Sequence, residues 1–469
     1  MADDHRGRSP VRAGVPRELA AFLARAVEEL PATRPRLITV PAPPAALERL
    51  WQAWPAAEAL LWESPAGFSI AGVGRAVVAE ARGADRFTAL QAALEAATRA
   101  VERVAAPGLE AEDGYFVGGF AFTPGSVTDG AWGELGDARF VLPRWGYRRA
   151  GESARLTLAL AAGEEARPQS TVAEYRHLWR TLGTAAPPSA KRAPRVVVRE
   201  QPPAPAWEAA VERARARIAA GELAKVVLAR RLIATARRQL RPETLLASLA
   251  VHEPGQYRFG FRTRSAALVG ASPELLVRRE GRRVTSEALA GSVVRGPAGN
   301  LGNDFSMRLV ADAKQRQEHH LVVEAIAAAL QEVCTQLEFP LQPEVRALRH
   351  LAHLATPFVG ELRASLSVLE LAARLHPTPA VGGVPAEVAL QLIAELEKTP
   401  RGWFAGPVGV LFPSGDGELA VALRCALLHE RSAQIFAGAG IVAASSPAAE
   451  VEETAAKAAA ALAALGLVQ

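Results

Sequence analysis

Leu19, Phe22, Leu23 and Val27 recur at helical spacing between charged and small residues, which predicts a helix over 16–30. Two apolar, glycine-rich stretches follow, GFSIAGVGRAVVA (67–79) and YFVGGFAF (115–122), and both read as strands. Within the first, GVGRAV (72–77) lacks the third glycine of a dinucleotide-binding loop and reads as a strand with a bulge. TALQAALEAATRAVERVA (88–105) and STVAEYRHLWRTL (170–182) predict helices, and RFVLPRWGYRR (139–149) and RLTLALAA (155–162) predict strands. Residues 1–15 carry no apolar period and are expected to be disordered. Residues 184–206, rich in Pro and Ala, form a connector in which VVV (196–198) could pair as an edge strand.

After the connector the pattern resumes with WEAAVERARARIAA (207–220), a helix that Gly221 is placed to stop. Strands are predicted at 225–234, 257–262, 266–270, 274–279 and 282–291, then one long helix over 304–334. The late strands are 406–412, 418–429 and 433–442, and a last helix starts at Pro447 behind Ser446 as N-cap. Strand pairs alternate with helices without a regular βαβ repeat. The expectation is an α+β fold on mainly antiparallel sheets, with 16–183 and 207–469 as its two halves.

Composition narrows the function classes. The chain has 469 residues, 49% of them hydrophobic, and a formal net charge of +5 spread along it with no basic block. That gives nucleic-acid binding little support. No stretch approaches the roughly 18–20 apolar residues of a membrane span, and MADDHRGRSPVRAG lacks the apolar core of a signal peptide. The two cysteines, Cys334 and Cys425, form no CxxC site or disulfide framework. A cytoplasmic protein is expected.

Of the 54 cationic residues only five are lysines, and one of them, Lys225, stands in the apolar strand GELAKVVLAR. Alternation puts it on the face of Leu223, Val227 and Ala229. A lysine snorkelling from a strand edge explains this as well as a buried base does. Burial can make an amine a base, which it cannot do for arginine, and an unperturbed amine is only about 0.1% neutral near pH 7.5.

Glu274 follows Ser272-Pro273 in GASPELLV, at the mouth of a strand, where a carboxyl can be held protonated as an acid or lie at the surface. Glu318 in KQRQEHH, and Glu450 and Glu453 in SSPAAEVEETAAK, lie on helices. They suit either solvent-facing salt bridges or Mg²⁺, which takes one or two carboxylates, several waters and an anionic ligand. Arg424 could clamp a carboxylate, and the glycines of FAGAGIV bring backbone N–H groups close to an anion.

Taken in order, AKVVLAR, GASPELL, LAGS, KxRxEH, HLATPF, LHPTPAVGG, FAGAGIV and ExxET over 207–469 resemble the chorismate-utilising enzymes. That family includes anthranilate synthase component I, aminodeoxychorismate synthase, salicylate synthase and isochorismate synthase. GGFAF and WGELGDARFVLPR are similar to the menaquinone-type isochorismate synthases in particular. Gln317 is a departure, since some relatives have His there.

The resemblance implies a four-layer α/β/β/α fold in which both halves join one body. It implies Mg²⁺-dependent conversion of chorismate to isochorismate, with Lys225 activating water and Glu274 protonating the departing hydroxyl. Glu318 and Glu453 would be the Mg²⁺ ligands, with Glu450 beside them. Gly291, Ser292, Ala380, Arg424, Gly438 and Lys457 would hold substrate. Amine-transferring relatives characteristically lack the lysine, so no amidotransferase subunit is expected, and the assembly would be a monomer or homodimer. Salicylate synthases share the lysine and are the alternative, then the amine-transferring enzymes; a chorismate-binding sensor is the non-enzymatic one. Menaquinone and siderophore pathways both remain open.

Overall fold

The computed structural model describes residues 14–127, 130–184, 194–294, 307, 309–349 and 351–467. Apart from its last two residues, the stretch expected to be disordered lies outside them. Among the described residues two β-sheets, of 13 and 10 strands, lie face to face. Every strand pairing among the described residues is antiparallel except that of Arg36–Pro41 with Glu102–Ala105. Side-chain alternation decides what each face touches. Leu60, Ile70 and Phe259 join Phe116, Phe120 and Val408 in the core between the sheets. Their neighbours Leu61, Ala71 and Val73 pack outward with helices Arg17–Glu29, Pro168–Gly183 and Pro242–His252. Helices Arg86–Ala97 and Val368–Leu375 cover the smaller sheet, completing four layers, α/β/β/α.

Four times the chain leaves one sheet and enters the other within a few residues. Strand Ser69–Val73 belongs to the larger sheet and Val77–Ala81 to the smaller, so the expected bulge at GVGRAV is a crossing, turned at Gly74 with φ +67°. Ala138–Leu142 and Trp145–Ala150 make the return crossing beside it, at Pro143. In the second half Ala266–Ser272 passes to Leu275–Glu280, and Gly417–Val421 returns to Cys425–His429. Proline suits such points because it cannot continue a ladder.

Three further predicted elements differ. The helix expected over 88–105 ends at Ala97; Ala100 adopts φ +55°, and Glu102–Ala105 becomes the strand that pairs with Arg36–Pro41. The helix expected over 304–334 runs Ala313–Gln331, because Asp312 is extended and its side chain caps Gln315 N, and Cys334 starts a strand. Part of the predicted span, 304–306 and 308, lies outside the described residues. In the connector, Val196–Gln201 forms the edge strand of the larger sheet, and the following helix already begins at Ala204. Both cysteines are buried and free, and among the described residues no helix is long and apolar enough to cross a membrane.

Candidate active site

The second pair of crossings carries two of the predicted residues. Glu274 lies between Ala266–Ser272 and Leu275–Glu280, and Arg424 lies on the antiparallel return. The two crossings are stitched together: Val421 N donates to Glu274 O at 3.1 Å, and Ala271 N to Arg424 O at 3.4 Å. Arg424 has φ +47°, a left-handed conformation that costs a non-glycine residue about 1–3 kcal/mol. Both side chains reach one cavity of about 110 Å³ between the sheets. Burial pushes the Glu274 carboxyl up to about 8 and Glu287 adds to the rise, against the opposing pull of Lys225. Glu274 is therefore protonated at neutral pH. Arg424 is lowered by burial, which the nearby Glu253 carboxylate partly offsets.

Lys225 opens the strand Lys225–Ala236, whose neighbour Ser432–Ile441 sets Gly440 opposite Val227 and Gly438 opposite Ala229. Its side chain is 0% exposed, and Nζ lies 3.1 Å from Glu318 Oε1. The pair is close without being aligned, and Nζ has no hydrogen-bond partner. Glu318, not Lys225, forms the cavity wall, so the amine stands behind the carboxylate. Glycine at 440 makes this possible, since a Cβ there would fall 2.1 Å from Glu318 Oε1 and 3.1 Å from Lys225 Cε.

His319 fixes the helix that presents Glu318. Burial lowers it to about 4, and the neutral ring bridges Ala290 O at 3.2 Å and Thr356 Oγ1 at 2.8 Å. A neutral ring satisfies both by donating from Nδ1 to the carbonyl and accepting at Nε2 from the hydroxyl.

Three of the chain's five lysines sit here, each against one predicted glutamate. Besides the Lys225–Glu318 pair, Lys457 Nζ donates to Glu453 Oε1 at 2.6 Å and Lys314 Nζ to Glu450 Oε1 at 2.6 Å. Lys457 also reaches Gly438 O at 3.0 Å. Burial raises Glu453, but Lys457, Lys314 and the Ser292 hydroxyl outweigh it and hold the carboxyl below the usual range. Glu450 is fully buried and raised by that burial, with Lys314 opposing, and its Oε2 has no partner. Ser446 stands at the N-cap of Pro447–Ala464 without a side-chain capping bond.

Of the predicted residues, Glu274, Ser292, Glu318, Arg424 and Lys457 line the cavity, as do Gly291, Ala380 and Gly438. Lys225, Glu450 and Glu453 lie just outside its wall. A larger cleft of about 390 Å³ lies elsewhere, but its charges pair with one another, Arg148 with Glu112 at 3.3 Å and Arg279 with Asp416 at 2.9 Å. None of the predicted residues lines it.

Sequence reasoning missed several supports. Gly440 lay inside FAGAGIV and His353 inside HLATPF, but nothing in either motif says what the residue touches. Arg401 donates to Val227 O at 2.7 Å and Val381 O at 2.8 Å, and its partner Glu397 accepts from Ala229 N at 2.7 Å. This buried pair ties the strand of Lys225 to the loop of Ala380.

Residues 34–466 match the family described as chorismate binding enzyme. The chain is 35% identical over 341 residues to isochorismate synthase MenF of Bacillus subtilis, covering 72% of this chain and 71% of that one. It is 35% identical over 404 residues to the salicylate biosynthesis isochorismate synthase of Pseudomonas aeruginosa, covering 84% and 82%. The solved structure of MenF, the menaquinone-specific isochorismate synthase from Escherichia coli, is similar with a TM-score of 0.77 at 28% identity, covering 95% of this chain and 99% of that one.

Proposed function

The chain belongs to the chorismate binding enzyme family, and on that premise we propose that it is an isochorismate synthase working through Lys225 and Glu274, with Mg²⁺ held by Glu318 and Glu453. The observation that carries the reading is a carboxyl held protonated at neutral pH on the wall of a cavity, with a fully buried amine behind Glu318 of the same wall.

The donor set fits Mg²⁺. No group of three or more His, Cys, Asp or Glu that could hold a metal occurs among the described residues, which argues against a closed all-protein site. Two carboxylates, with waters and an anionic substrate, are what Mg²⁺ asks of a protein. Glu453 is held in its ionised form, and the partnerless Oε2 of Glu450 leaves an acceptor for a neighbouring water. Bound there, Mg²⁺ supplies positive charge that offsets the ring carboxylate of chorismate.

The side chains then divide the work. Arg424 and Lys457 meet the negative charge of a dicarboxylate substrate, and Phe404, Leu423 and Phe436 exclude bulk water from the rest of the cavity. Lys225 accepts a proton from water as that water bonds to C2. The ring double bond shifts, the C4–O bond breaks, and Glu274 donates its proton so that the departing group leaves as water. One proton is taken and one given, so the pair resets by exchange with solvent. In the reverse direction the protonated amine and the ionised carboxyl exchange roles.

Incubation of the purified protein with chorismate and Mg²⁺, followed by chromatography of the products, tests the reading. Isochorismate is expected. Salicylate with pyruvate, anthranilate when ammonium is supplied, or binding without turnover would each overturn it.

A further inference from the structure

We propose that Glu253 is a positioning residue for Arg424, fixing its guanidinium at the cavity wall so that it meets a substrate carboxylate without reorganising. The inference rests on the reading of Arg424 as a carboxylate clamp. Glu253 ends the helix Pro242–His252, its N–H donating to Leu249 O at 2.8 Å, and it is only 5% exposed. A glutamate is rarely buried so far without a charged partner. Its partner is Arg424, whose Nη1 donates to Glu253 Oε2 at 3.4 Å. Gln256, also buried, donates to the same oxygen and holds the carboxylate on that side.

The other terminal nitrogen of Arg424 is held too. Nη2 lies 3.3 Å from Nε2 of His353. Burial, with Arg424, Lys457 and Arg346 nearby, holds that imidazole neutral, so Nε2 can accept. The guanidinium is thus gripped from two separate elements, and it projects from a strained backbone at a sheet crossing. An arginine free to rotate loses side-chain freedom each time it binds, and one already held does not. Glu253 also gives the buried cation a counter-charge when no substrate is present.

A residue that only stabilises the fold would lower the melting temperature without coupling to what Arg424 does for binding. A double-mutant cycle on KM for chorismate separates the two. Glu253→Ala should raise KM about ten-fold, as the loss of one charge-assisted hydrogen bond would. The loss should fall on KM more than on kcat, with Glu253→Gln intermediate. In an Arg424→Ala background the same substitution should add less than about a two-fold change, because nothing is left to position. An equal rise in both backgrounds, or no rise in the parent, overturns the proposal. If Arg424→Ala alone leaves KM where it was, the clamp reading fails. Should Arg424→Ala not fold, Arg424→Lys, which cannot bridge two partners in the same way, closes the cycle.

Discussion

Replacing Glu274 by glutamine should silence the enzyme and stabilise the folded protein at neutral and alkaline pH. Glutamine keeps the size of the side chain and carries no charge at any pH. In the parent protein, burial first and Glu287 second raise the carboxyl from 4.5 to about 8. The folded chain therefore keeps a proton that the unfolded chain has lost, and stability falls as pH rises from 4.5 to about 8 and stays low above it. At about 1.4 kcal/mol per pH unit the penalty is about 1 kcal/mol at pH 5, about 3 at pH 7 and about 5 at pH 9. Glu274→Gln removes it, so the variant should outlast the parent by margins that grow in that order. Urea unfolding followed by tryptophan fluorescence at the three pH values measures the difference, and ionisations common to both proteins cancel. A margin that stays flat with pH would refute the reasoning. Turnover should drop by about 10²–10⁴-fold in the variant, and kcat/KM of the parent should decline above about pH 8 as the acid loses its proton.

Lys225→Ala should lower turnover by a similar factor of about 10²–10⁴ while isochorismate remains the only product; near-parental rates would remove the assigned base. Gly440→Ala sets a methyl group 2.1 Å from Glu318 Oε1, so Mn²⁺ binding read by electron paramagnetic resonance should weaken while the circular dichroism spectrum keeps its shape. Removing divalent cations with a chelator should stop turnover yet leave the protein folded, because Glu450 and Glu453 already have Lys314 and Lys457 as hydrogen-bonded partners. Loss of far-ultraviolet dichroism on chelation would contradict that.

The site was more legible in the sequence than the fold that builds it. An isolated lysine at an inward position of an apolar strand, and a glutamate behind Ser-Pro, are local signals that survive without knowing any partner. Glu253 and Arg424, or Arg401 and Val227, are more than 170 residues apart, and nothing local marks such contacts. Three of the four sheet crossings, at 67–79, 139–149 and 418–429, were read as continuous strands because hydrophobic alternation reports that a residue is buried, not which sheet buries it. VERVA looked helical beside an alanine-rich run, and only its pairing with Arg36–Pro41 makes it a strand. The lysine count was visible at once, but its meaning, one lysine beside each glutamate, needed three dimensions.

Every predicted site residue lies at or beyond Lys225, which invites the thought that the latter part of the chain could be lifted out as a portable catalyst. The way the strands are laid forbids it. Tyr257–Arg262 takes one neighbour from Ala59–Glu63, and Pro407–Leu411 takes one from Phe116–Phe120. Cut away the first two hundred residues and both would be left with bare, sticky margins in the middle of what had been broad surfaces. The front of the chain contributes none of the proposed reacting groups; it keeps the rest from clumping.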